Sequence, residues 1–99
     1  MAVIVIASLK IKDGQRPRFD EFERQALAIM QQHGGELLRA LKPVALLPPG
    51  ELPDEVHVLC FPSQEALDLY REDPNLKALA PLRAEAIAAT HLLVGHTLA

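Results

Sequence analysis

A chain of 99 residues, 49% of them hydrophobic, has the size of one ordinary domain and no room for a second core. Ten Lys plus Arg against thirteen Asp plus Glu give a formal charge of −3. With no basic run and only three Phe and one Tyr for stacking, nucleic acid is not an expected partner. A single cysteine, Cys60, excludes an internal disulfide or a Cys-based metal cluster and points to a reducing, cytoplasmic setting.

The apolar start is far short of the ~20 residues that span a bilayer and has no basic residue ahead of it, so a strand over Ala2–Lys12 is expected, with no membrane contact. Val3, Val5, Ala7, Leu9 and Ile11 fall on one of its faces, Ile4, Ile6, Ser8 and Lys10 on the other. Both faces are apolar in the first half, so each needs a cover. After a turn at Asp13 and Gly14, the spacing of Phe19, Phe22, Ala26, Ile29 and Met30 predicts a helix from about Pro17. It closes at His33-Gly34-Gly35, with His33 as a cation at its C-terminal end.

Glu36–Leu47 reads as a second strand, and Pro43, unable to donate to a ladder, puts it on a sheet edge. Prolines 48, 49 and 53 with Gly50 make a stiff connection to a third strand over Val56–Phe61. Ser63 then caps a helix whose inner face is Ala66, Leu67, Leu69 and Tyr70, with Glu65 at the positive end of its dipole. Asp73-Pro74 is a second N-cap with proline at the first helical position. The restarted helix runs through Leu76, Leu79 and Leu82 towards Ile87, with a kink or short break near 77–81 imposed by Pro81. A last strand is expected over Thr90–Leu98.

This βαββαβ order predicts an α+β, ferredoxin-like fold: a four-stranded antiparallel sheet with both helical segments on one face. The other face of the first strand is then left apolar and uncovered. A second sheet of the same kind is the simplest cover, so a homodimer is expected.

The run FPSQEALDLY, then DP, then ALAPLR, with HGGEL earlier and a closing THLLVG strand, resembles the dimeric α/β-barrel superfamily. Within it the likeness is strongest to a family known as a domain of unknown function, DUF1330-like, and covers nearly the whole chain. The resemblance implies a ferredoxin-like protomer that pairs into a barrel. The superfamily spans antibiotic biosynthesis monooxygenases, muconolactone isomerases, stress-responsive barrel proteins and haem-binding members, so it leaves the activity open. Relatives often carry an acidic residue before the Phe of the FPS motif; Cys60 stands there in this chain, and a role for that acid does not transfer.

Four residues are candidates for chemistry. His57, among aliphatics on the third strand, is either a proton acceptor facing a cleft or a buried, hydrogen-bonded side chain. Tyr70, on an inner helix face, either packs in the core or offers its hydroxyl to a ligand. Cys60 is either an inert small hydrophobe or an activated, ligand-binding thiol, with Arg39 as the activating cation if the hairpin is centred on Gly50. His91 and His96, five apart on one strand, face opposite sides and cannot share a metal. Arg83 with Glu85, and Glu21, Glu23 and Arg24, read as solvated helix faces.

No phosphate loop, dinucleotide fingerprint, serine triad or paired-histidine metal motif occurs, and no cofactor is expected. Two functions fit. The first is a dimeric module binding a small apolar molecule between sheet and helices. The second is a cofactor-free monooxygenase or isomerase using His57 or Tyr70, against which the absence of Trp and the single Asn75 count somewhat.

Overall fold

The computed structural model describes residues 2–98. The strands are β1 (Val3–Ile11), β2 (Glu36–Leu41), β3 (Glu55–Phe61) and β4 (Ile87–His96), and the helices α1 (Arg16–Gln32), α2 (Gln64–Glu72), α3 (Pro74–Lys77) and α4 (Ala80–Ala86). They form one antiparallel sheet in the order β2-β3-β1-β4, the expected ferredoxin-like α+β arrangement.

β1, apolar on both faces in its first half, is an interior strand between β3 and β4. Val3, Val5, Ala7 and Leu9 are buried under the helices, while Ile6 on the opposite face remains 39% exposed. α1 buries Phe19, Phe22, Ala26, Ile29 and Met30, as its spacing requires. The two glycines after α1 serve different ends. Gly34 takes a φ of +77°, which a side chain rarely adopts, whereas a Cβ at Gly35 would sit 2.8 Å from the Phe61 ring.

Both expected caps form. The Ser63 hydroxyl accepts from the Ala66 N–H at 3.1 Å, and the Asp73 carboxylate accepts from the Asn75 N–H at 2.8 Å. The helical interruption falls at Ala78 and Leu79, where the Leu79 N–H bonds the Leu76 carbonyl in a tight turn before Pro81 opens α4.

The ends of β2 and β4 and the β2–β3 register differ from the sequence expectation. β2 ends at Leu41, not Leu47, because Pro43 removes the donor needed to continue pairing, although the strand is at the edge as expected. β4 begins at Ile87, not Thr90, and ends at His96. α4 passes into it without a loop: the Ala86 carbonyl accepts from the Lys12 N–H at 2.8 Å, and buried Ile87 pairs with Ile11. β2 meets β3 with Arg39 opposite Val58 rather than in the register centred on Gly50, with an irregularity between Leu37 and Arg39.

The core has two centres. Leu9, Phe19, Phe22, Ala26, Ala86 and Ile87 fill one, and Val3, Val5, Met30, Phe61 and Leu67 the other. Among the described residues, no helix is long and apolar enough to cross a membrane.

Candidate functional site

Between the two core centres, on the helix-covered face, lies a cavity of about 410 Å³ whose walls draw on both. Its floor is the inner row of the sheet, where Ala7 faces His57 and Leu9 faces Thr90 across the ladders. Small side chains at Ala7, Ala26 and Ala80 leave the space open, and aliphatic and aromatic groups make most of the wall. The polar groups that enter it are few: Glu23 from α1, His57 from β3, Tyr70 and Arg71 from α2, Lys77 from α3, Arg83 from α4 and Thr90 from β4.

His57 is 5% exposed and is the one buried polar or charged residue among those described. Its Nε2 lies 2.7 Å from Glu55 Oε1, and its Nδ1 lies 3.6 Å from Glu23 Oε2. Glu55 is two residues before His57 on β3, so strand geometry puts both side chains on one face. Glu55 is also bound by the Arg16 guanidinium, which stacks over the Phe19 ring at 5.5 Å. Burial opposes ionisation of Glu55, but the hydrogen bonds from His57 and Arg16 outweigh it and hold its pKa below the usual carboxylate value. An ionised carboxylate only accepts, so the His57 proton shared with it sits on Nε2 and, in the neutral ring, the lone pair of Nδ1 faces Glu23. A base whose other nitrogen is fixed by a carboxylate is the arrangement that orients imidazole for proton transfer.

Glu23 has the opposite character. Desolvation pushes its pKa up, with nearby Glu55 and Asp20 adding to the rise and His57 opposing it. Tyr70 packs against Phe61 with ring centroids 5.5 Å apart, and its hydroxyl donates a long 3.5 Å bond to the Ala26 carbonyl. Burial first, and then the charge of Glu23, push this phenol up to about 12. It therefore stays protonated and serves as a donor, not a base.

His57 and Tyr70 are thus brought to one cavity. Arg39 and Cys60 are not: they lie on the other face of the sheet, in the row where Arg39 pairs with Val58 and Cys60 with Ile4 and Glu36. His91 and His96 point to opposite faces as their spacing requires, paired with Ser8 and Val3 respectively. A recess of about 210 Å³ near Lys10, Glu51, Leu52 and His91 lies on the outer side, remote from the Glu55–His57–Glu23 chain. Among the described residues, no group of three or more His, Cys, Asp or Glu is placed to hold a metal ion.

Two corrections concern residues read as solvated. Glu23 faces the cavity with its side chain 18% exposed, while its neighbours Glu21 and Arg24 do pair with each other on the outside at 2.7 Å. The signal was present: Glu23 is four residues after Phe19, three before Ala26 and seven before Met30, all buried. Arg83 is exposed yet lines the cavity and donates to Thr90 Oγ1 at 3.0 Å. His33 caps α1 as expected, but its ring also meets Asp73 at 2.7 Å, tying the end of α1 to the start of α3. That hydrogen bond holds the Asp73 carboxyl below its ordinary pKa.

Solved structures share this architecture at low identity. A protein of unknown function from Rhodopseudomonas palustris is 16% identical with a TM-score of 0.87, over 99% of this chain and 83% of its own. A dabb family protein with a ferredoxin-like fold from Mesorhizobium loti is 15% identical with a TM-score of 0.74, over 99% and 98%. An uncharacterized NIPSNAP domain protein from Burkholderia xenovorans is 19% identical with a TM-score of 0.69, over 100% and 96%. These likenesses establish the fold. No functionally curated protein matches the chain. Residues 2–97 match the family described as Domain of unknown function (DUF1330), and the chain, with its ferredoxin-like sheet and helices, belongs to that family.

Proposed function

We propose that the protein binds a small, largely apolar molecule in the cavity between sheet and helices, and that it does so as a homodimer. The observation that supports the binding reading is the cavity itself: about 410 Å³, mostly apolar, with a few polar groups from every helix and from β3 and β4 converging on it. Neutral aromatic probes of fragment size, indole and benzamide, test it by ligand-observed NMR. Binding is expected to wild type and to be lost in Ala80→Trp, which fills the cavity from an exposed wall position without replacing a core side chain. No binding, or binding indifferent to Ala80→Trp, overturns the reading.

The dimer rests on the opposite face of the sheet. Leu41, Ile6 and Leu93 there are 50%, 39% and 68% exposed, and Ile6 lies between Val58 and Leu93 across the two ladders. A second copy of the same face would cover this strip. Light scattering at low micromolar concentration should give twice the protomer mass, and Val58→Lys should halve it; a wild-type monomer sinks the proposal. A cytoplasmic location belongs to the same reading, in keeping with the free thiol of Cys60.

The alternative, a cofactor-free isomerase or monooxygenase, is favoured by one observation, the Glu55–His57–Glu23 chain. His57 Nδ1 would take a proton from an activated C–H of the bound molecule, and Glu23 or the Tyr70 phenol would return one elsewhere on it. The same proton removal would begin a monooxygenation. A cyclic β,γ-unsaturated ketone, converted to its conjugated isomer, reports such transfer by absorbance. Turnover should fall by roughly 10² to 10⁴-fold in His57→Asn. Absence of turnover in wild type leaves binding as the function.

A further inference from the structure

The charged groups around the cavity are sorted by depth. The acids, Glu23 and Glu55, meet at His57 against the sheet, whereas Arg71, Lys77 and Arg83 come from the helical segments that make the opposite wall. Lys77 is neutralised by Glu72 at 2.7 Å. Arg71 and Arg83 form no ion pair with any carboxylate among the described residues, although acidic residues outnumber basic ones in the chain.

Arg83 is the better placed of the two. Its guanidinium reaches from α4 to Thr90 on β4, whose position opposite Leu9 lies on the cavity floor, and bonds its hydroxyl at 3.0 Å. It is close enough to Tyr70 for its charge to act on the phenol, together with that of Glu23. One contact to a neutral hydroxyl leaves most of the five guanidinium donors free, in a fork that matches a carboxylate.

We propose that the ligand is a small carboxylate with an apolar ring or chain, its headgroup on Arg83 and its body over Ala7, Leu9 and Ile87, pointing towards His57. The charge pattern fixes this orientation. Reversed, the headgroup would meet Glu23, and Glu55 behind His57, whereas at Arg83 it completes an ion pair the protein leaves unmade. The body then presents its own carbon atoms, not its carboxylate, to the Nδ1 lone pair. This inference rests on the reading of the cavity as a ligand site and names the class of molecule it takes.

Benzoate and its neutral isostere benzamide test it, by calorimetry or NMR titration of the full chain. Wild type should prefer benzoate by roughly tenfold or more, the scale of a charge-assisted hydrogen-bond pair. Arg83→Gln should abolish the preference, weakening benzoate by roughly tenfold more than benzamide, because only the carboxylate loses a charge-assisted pair. Raising salt to about 1 M should shrink the wild-type preference several-fold, a measurement that needs no variant. Equal affinity for the two probes, or a preference that survives in Arg83→Gln, overturns the carboxylate assignment and leaves the cavity reading standing. Failure of both probes to bind overturns both.

Discussion

The two faces of the sheet are built from the same strands and differ in almost every other respect. Under the helices, the row containing Val3, Val5, Ala7, His57 and Phe61 is buried, and its histidine is held by a carboxylate. On the outer side, the row containing Ile6, Val58, Arg39 and Leu93 has no helix over it among the described residues. Burial raises the stakes for a polar group, since each must be partnered or change its ionisation. Accordingly, the Glu55–His57–Glu23 cluster is on the inner face, while the outer face carries exposed apolar side chains.

Substitutions can break or sharpen that contrast. Phe61→Ala, at a fully buried position, should cost about 3–5 kcal/mol in chemical denaturation. Leu93→Ala on the outer face should cost the isolated protomer well under about 1 kcal/mol, its main effect falling on association. Equal costs in a monomeric background would show that the outer face is packed in some way the fold does not reveal. Gly35→Ala comes next: its Cβ would press on Phe61 and Met30, and overpacking of this kind costs about 1–3 kcal/mol. Ser63→Ala should lower stability by about 1 kcal/mol through the lost α2 cap.

Glu23→Gln sharpens the comparison through pH. Because the folded-state pKa of Glu23 is raised, the folded protein holds a proton there more tightly than the unfolded chain does. Its ionisation therefore costs stability increasingly as pH rises above the ordinary carboxylate value. The variant should melt higher than wild type at neutral to alkaline pH and lose that advantage on acidification. Glu55 has the opposite sign: its lowered pKa contributes stability above the ordinary value that fades as pH falls through the folded one. An advantage of Glu23→Gln that grows on acidification would contradict the desolvated state of Glu23. The smallest effect is expected for Glu85→Ala, whose exposed pairing with Arg18 at 3.7 Å should be worth less than about 0.5 kcal/mol by thermal melting.

Element order, the inner face of α1, the two caps and the interruption before Pro81 were legible in the sequence because each is set by neighbours within one or two turns: periodicity, a capping oxygen, a missing N–H. His57 and Tyr70 could be singled out as residue types. Their meeting in one cavity, and the placing of Arg39 and Cys60 on the other face, depended on register and on helix docking. Glu23 shares the helical spacing of Phe19 and Ala26, although a charged side chain is ordinarily found in water.

What the chain by itself determined, then, is the ferredoxin-like order of strands and helices and the two-sided apolar character of β1. Only the tertiary structure decided that Glu23 faces the Nδ1 of His57 and that Arg83 crosses to Thr90. These contacts join residues from separate elements, and which of them meet is settled by strand pairing and by where each helix docks along the sheet, which depend on residues far apart in the chain.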